Sequence, residues 1–280
     1  YCHIVAGGCS DSFHAMEEVT SYLKDFYKTH FEQVRPLLLP EEHELHLSEV
    51  YTNLHIQCRS DNGHFDDVIN GDSLTNIFKE PRTSSSQGKH DSEGTMTQTK
   101  IRKVHLEGPA GTGKSVCCKK LAYDWATGKL GRYSMVFLLE VRHIKGNVID
   151  AIFDQILCHD INISKEELRK YIVQHQDQIL FILDGLNEFS SHVKSISDGL
   201  KSTDGQLLPG CHVLVTSRPS PQAQDLEQCD TVCKIMGFTW ECSQDYVMKF
   251  FKGSEDTARQ LLMKVEESRK IRELARPKSS

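Results

Sequence analysis

The chain has 280 residues, with 33 basic and 39 acidic side chains for a formal charge of −6, and 38% of its residues are hydrophobic. That is enough apolar material for a packed core spread over about two domains, and with no dominant Lys/Arg block nucleic acid is not expected as a direct ligand. No apolar run approaches the ~20 residues that span a bilayer, and Tyr1-Cys2-His3-Ile4-Val5-Ala6-Gly7-Gly8 is too short and uncharged for a signal peptide. A soluble, cytoplasmic protein without a membrane span is therefore expected. The missing initiator Met, and an end soon after a helical pattern, predict a piece of a longer protein.

From Asp11 to Leu39 apolar residues recur at Phe13, Met16, Val19, Leu23, Phe26, Phe31 and Val34, a helical spacing closed by Pro36 and Pro40. Its apolar face suits either the neighbouring domain or a partner. Leu54, Ile56 and Cys58 then alternate, as in a short strand. Residues 1–82 thus read as a helical N-terminal region, and 83–100, rich in Ser, Thr and Gly, as a flexible linker.

Beyond residue 100 strands and helices alternate, an α/β signature. Lys103-Val104-His105-Leu106-Glu107 predicts a strand, followed by a helix to about Trp125; Met135–Val141 predicts a buried strand, and Val148, Ile149, Ile152, Ile156 and Leu157 a helix. A further helix opens at Ser164 with the capping box Ser-Lys-Glu-Glu, which satisfies free amide donors. Ile179-Leu180-Phe181-Ile182-Leu183 is a continuous apolar run suited to the middle of a parallel sheet. Val213-Leu214-Val215-Thr216 repeats the pattern, and Val232–Met236 predicts an edge strand. After Gly237 only helical patterns remain, around Tyr246, Val247, Phe250 and Phe251 and then Leu261, Leu262 and Val265. The predicted organisation is an α/β domain over 101–236 and the start of a helical domain over 237–280.

Between the first strand and helix of that domain stands Gly108-Pro109-Ala110-Gly111-Thr112-Gly113-Lys114-Ser115, a full G-x-x-x-x-G-K-[ST] phosphate loop. The glycines let backbone N–H groups approach phosphate oxygens, Lys114 reaches the β- and γ-phosphates, and Ser115 offers a hydroxyl to Mg²⁺. The helix that follows adds roughly half a positive charge at its N-terminus. The fold class expected is a P-loop NTPase with a mainly parallel sheet flanked by helices.

Three further elements follow in order. The strand ending at Leu183 delivers Asp184, placed to hold Mg²⁺ beside Ser115, and Glu188, placed to deprotonate an attacking water. The alternative for both carboxylates is a solvated turn. Thr216-Ser217-Arg218-Pro219 ends the next strand with a guanidinium that can report a γ-phosphate, or merely cap a strand at the surface. Pro277 either folds back over the base or simply ends a helix. The ten cysteines show no paired C-x-x-C spacing, so reduced thiols without a metal are expected, and Asn162-Ile163-Ser164 is expected to be a chance sequon.

These residues together resemble the NACHT domain of NOD-like receptors, in the signal-transduction branch of P-loop NTPases. The resemblance is carried by Val104–Ser115 with Leu121-Ala122-Tyr123-Asp124-Trp125-Ala126 behind it, Ile182-Leu183-Asp184-Gly185-Leu186-Asn187-Glu188-Phe189, and Thr216-Ser217-Arg218-Pro219. Gly237-Phe238, Tyr246 and Phe250-Phe251 look like the family's first helical domain, whose Pro near the base would match Pro277; Leu47–Leu54 is similar to the segment that precedes such domains. The resemblance implies ATP/ADP with Mg²⁺, a switch between closed and open forms, self-association through the domain, and a signalling adaptor engaged by regions absent from this sequence. It also implies an innate-immune or cell-death role. Asn187 stands where the family usually has Asp, which removes a charge near the metal and implies slow hydrolysis. A scaffold that binds nucleotide without hydrolysis, and a P-loop kinase for a small molecule, are the alternatives; the second is weakened by the lack of Arg between Glu188 and Pro209.

Overall fold

The computed structural model describes residues 8–34, 45–59, 64–67, 78, 101–157, 161–186, 210–219 and 229–268. In chain order the elements are α1 (Gly8–Phe31), β1 (Gln33–Val34), β2 (Leu45–His46), α2 (Leu47–Val50), β3 (His55–Arg59), β4 (Phe65–Asp67), β5 (Lys103–Glu107), α3 (Lys114–Ala126), β6 (Met135–Glu140), α4 (Val148–Gln155), α5 (Lys165–Gln174), β7 (Ile179–Asp184), β8 (His212–Ser217), β9 (Thr231–Gly237), α6 (Trp240–Phe250) and α7 (Glu255–Glu267). Among the described residues no helix is long and apolar enough to cross a membrane.

One seven-stranded sheet runs in the order β4-β3-β9-β5-β8-β7-β6. The five strands from β9 to β6 are parallel, and every residue of β8 and Ile179–Leu183 of β7 is buried. That two-sided burial is why their sequences are continuous apolar runs rather than alternating ones. An α/β P-loop architecture is the result, as expected.

Several local signals act where the sequence puts them. Ser164 and Glu167 form the capping box, with the Ser164 amide donating to Glu167 Oε2 at 2.9 Å and the Glu167 amide to Ser164 Oγ at 3.2 Å. Asn147 and Thr239 cap α4 and α6 in the same way. In α1 the buried residues Met16, Val19, Leu23 and Tyr27 follow the helical spacing. This helix stops at Phe31, short of Pro36, because the chain leaves it to pair β1 with β2.

Two expectations are overturned. The strand around Val232–Met236 is not an edge: β9 lies inside the sheet, parallel to β5 on one side and antiparallel to β3 on the other. The N-terminal region supplies that extra strand, so it extends the sheet instead of only packing a helix on it. Nor are all the thiols reduced. Cys58 of β3 and Cys233 of β9 are direct register partners with Cα atoms 4.0 Å apart, and their sulfurs are bonded. Antiparallel pairing brought together two cysteines 175 residues apart, a distance at which spacing rules are silent.

The opposite edge of the sheet is finished by one side chain. β6 is the outermost strand, and the buried Tyr27 hydroxyl donates to Val136 O at 3.0 Å while accepting from Leu138 N–H at 2.9 Å. Burial also pushes that hydroxyl's pKa well above the ordinary tyrosine range, so it stays a donor. Tyr27→Phe leaves a buried carbonyl and amide without their partner, at a cost of about 1–3 kcal/mol. Urea unfolding should show a lower midpoint with an unchanged slope; an unchanged midpoint would mean that α1 does not secure this edge.

Candidate functional site

The parallel register sets where the chemistry sits. Leu106 pairs with Thr216 and Glu107 with Ser217, while Leu183 pairs with Val215, so the interior strands β5, β7 and β8 release their chains together at their C-terminal ends. Gly108 N–H donates to Ser217 O at 3.1 Å, which fastens the start of the phosphate loop to the end of β8.

The loop itself is built for backbone approach. A Cβ on Gly108 would lie 2.9 Å from Thr112 Oγ1 and 3.2 Å from Ile235 Cβ, so a side chain there does not fit. Gly113, with φ +90°, occupies the left-handed region immediately before α3, where any other residue would be strained. The first-turn N–H groups of α3 have no partners within the helix and point out of its N-terminus, towards where an anion would sit. Thr112 Oγ1 donates to Pro109 O at 2.9 Å, holding the loop closed, while Pro109, Ala110 and Ser115 are exposed.

Lys114 folds over this loop, its ammonium donating to Gly108 O and Pro109 O at 2.7 Å each. Its pKa is lowered, first by burial and next by the positive charge of Arg218; Asp184 acts in the opposite sense. The exposed Arg218 and the half-buried Asp184 therefore share an electrostatic neighbourhood with Lys114. Two cations that repel one another across a glycine-lined cradle fit a polyphosphate, whose charge would relieve the repulsion. Ser115 and Asp184 offer the hard oxygen donors that Mg²⁺ takes, usually completed by substrate phosphates and water.

Asp184 is oriented by Thr216. The Thr216 hydroxyl accepts from Gly185 N–H at 2.9 Å and donates to Asp184 Oδ1 at 2.5 Å. Cys118 on α3 approaches the same oxygen at 3.9 Å, with burial first and the Asp184 charge second holding its thiol protonated. One carboxylate oxygen is thus tied to the fold. Glu188 and Pro277 lie outside the described residues.

Three neighbours of the loop were not singled out from sequence. Leu54 presses Cδ1 to within 3.3 Å of where a Gly113 Cβ would be. Tyr51 contacts Cys117 Sγ at 3.5 Å through its hydroxyl and stacks its ring under Lys120 at 5.1 Å, and its carbonyl accepts from Lys249 of α6 at 3.0 Å. Thr52 donates to Asp245 of α6 at 3.1 Å. Residues 51–54 thereby join the phosphate-loop helix to the C-terminal helices, and the signals available were the alternation of Leu54, Ile56 and Cys58 and the likeness of Leu47–Leu54 to the segment that precedes such domains.

The description "NACHT domain" matches residues 102–254, more than half of the chain. The chain belongs to the NACHT domain family. Curated relatives include mouse "NACHT, LRR and PYD domains-containing protein 6", 34% identical over 180 residues, which are 56% of this chain and 20% of that protein. Human "MHC class II transactivator" is 30% identical over 57% of this chain and 16% of its own length, and human "Protein NLRC5" 32% identical over 52% and 8%. This NACHT chain thus spans a fifth or less of those relatives. A P-loop NTPase fold of this family is a nucleotide-binding module.

His105 is a buried titratable group beside this NACHT site. Its Nε2 lies 2.7 Å from Ser217 Oγ, which donates in turn to Arg218 O at 3.1 Å, so the network assigns the imidazole proton to Nε2. Burial lowers its pKa from 6.5 to about 4. Between those values the unfolded chain takes up a proton that the folded chain refuses, so stability falls as pH drops from about 6.5 to about 4 and this contribution levels off below. The expected loss is on the order of 3 kcal/mol. Urea titrations of wild type and His105→Gln should diverge in pH slope across that window, with the variant shallower; parallel slopes would remove His105 from the acid response.

Proposed function

We propose that this chain is the nucleotide-operated switch of a longer cytoplasmic signalling receptor, binding ATP or ADP with Mg²⁺ and hydrolysing ATP slowly. The observation that supports it most is the register that brings the ends of β5, β7 and β8 together, with the charges of Asp184 and Arg218 both acting on Lys114. The relatives' printed names, which join NACHT with further domains, favour a receptor fragment. In this reading 101–236 is the nucleotide-binding domain and 237–280 the start of the helical domain that moves against it.

Each residue has a distinct task. Ala110, Gly111, Thr112 and Gly113 present amides to the phosphate chain, Gly108 and Pro109 shape the start of the loop, and Lys114 neutralises its end. Ser115 and Asp184 would hold Mg²⁺, which supplies charge neutralisation on the transferred phosphoryl group. Thr216 keeps the Asp184 carboxylate turned into the site. Glu188 accepts a proton from the attacking water, and Arg218 answers to the terminal phosphate. Loss of that phosphate removes a partner of Arg218, a differential contact of the kind a two-state switch requires. Pro277 closes over the base. The opened form self-associates, and an adaptor is engaged through other parts of the receptor.

Lys114→Ala should abolish detectable ATP and ADP binding by calorimetry; unchanged affinity removes the site assignment. Arg218→Ala should weaken ATP about tenfold more than ADP, in keeping with a charge-assisted contact to the terminal phosphate. Glu188→Gln should retain ATP affinity while phosphate release slows by about a hundredfold. Equal turnover in wild type and variant would take Glu188 out of the reaction.

A further inference from the structure

The Cys58–Cys233 bond is connected to the phosphate loop from both of its ends. Cys233 is the register partner of Leu106, two residues before Gly108. Cys58 stands four residues after Leu54, the side chain that packs on Gly113. Without the bond, β3 is held to β9 by a short antiparallel ladder from His55 to Cys58, and on its other side lies only the three-residue β4. Residues 51–54 run directly into that strand, and Tyr51 and Thr52 contact α3 and α6. Access is unequal, since Cys233 is fully buried and Cys58 only half-buried.

We propose that Cys58 and Cys233 form a thiol–disulfide exchange site for a small-molecule couple of the glutathione class, whose oxidation state sets how firmly residues 51–59 are anchored against the phosphate loop. A small-molecule thiolate attacks the sulfur of Cys58, the less buried of the two residues, forming a mixed disulfide and expelling Cys233 as a thiolate that takes a proton from solvent. A second thiolate attacks the small-molecule sulfur of that mixed disulfide, releasing the small-molecule disulfide, and Cys58 is protonated in turn. Net, one protein disulfide and two small thiols become two cysteine thiols and one small disulfide; the oxidised small molecule drives the reverse. Of the free thiols, burial pushes Cys117 and Cys229 up to about 11, so both stay protonated at neutral pH. Reduction removes a cross-link between residues 175 apart and leaves β3 held by its backbone ladders to β9 and β4 and by its buried side chains. The effect on nucleotide rests on the reading given under Proposed function.

The test equilibrates the whole chain in oxidised or reduced glutathione and follows three signals: non-reducing peptide mapping, amide hydrogen exchange of residues 51–59, and release of a fluorescent ADP analogue. A Cys58–Cys233 cross-linked peptide is expected only in the oxidised protein. Reduction should speed exchange over 51–59 at least about tenfold and ADP release at least about fivefold. Cys58→Ser and Cys58→Ala in oxidising buffer should both behave like reduced wild type. Absence of the cross-linked peptide, or equal hydrogen exchange in the two states, overturns the site, and equal ADP release overturns its coupling to the loop. Redox-dependent exchange in a protein that binds no ADP in either state would support the exchange site and contradict the nucleotide reading instead.

Discussion

Everything functional in this chain depends on the parallel register of β5, β7 and β8. A parallel strand is released at the same edge as its neighbour, so one sheet can aim a glycine loop, a carboxylate and a guanidinium at a single place. The register does more than bring them near. It gives Gly108 N–H the Ser217 carbonyl and Asp184 the Thr216 hydroxyl, two hydrogen bonds that couple neighbouring strand ends across β8. A one-residue slip of β8 would turn Thr216 to the opposite face and release both.

The N-terminal region completes what the α/β domain leaves open. At one edge Tyr27 satisfies two backbone groups of β6 that no further strand reaches. Towards the other edge β3 extends the sheet beyond β9, and the four residues before it lie between the phosphate-loop helix and α6. The region therefore buries apolar surface on both sides of the sheet while one short stretch of it touches Gly113 and Asp245 together. That position puts residues 51–54 in contact both with α6 and with the helix that follows the phosphate loop.

Much of this was legible locally. The phosphate loop is readable because its glycines answer to a backbone requirement, the capping box because two side chains answer to two free amides, and β7 because both of its faces are covered. Partners were not legible. Val232–Met236 has the pattern of a half-buried strand, and nothing within it says that β3 lies alongside. Cys58 and Cys233 are paired only through that same strand order, and Tyr51 to Leu54 reach the loop only because β3 holds them there. His105 reads as the middle polar residue of the alternating strand Lys103-Val104-His105-Leu106-Glu107, and its partner Ser217 is 112 residues away. The expected roles of Glu188 and Pro277 lie in stretches outside the described residues, so sequence alone speaks for them.

The coincident ends of β5, β7 and β8 are expected to hold one nucleoside di- or triphosphate with its metal. Calorimetric titration of the wild-type chain with ADP, with and without Mg²⁺, tests it most directly. Saturation at one nucleotide per chain, tighter with Mg²⁺ than without, is the expected result. Absence of saturable binding by a chain whose unfolding is cooperative would contradict it.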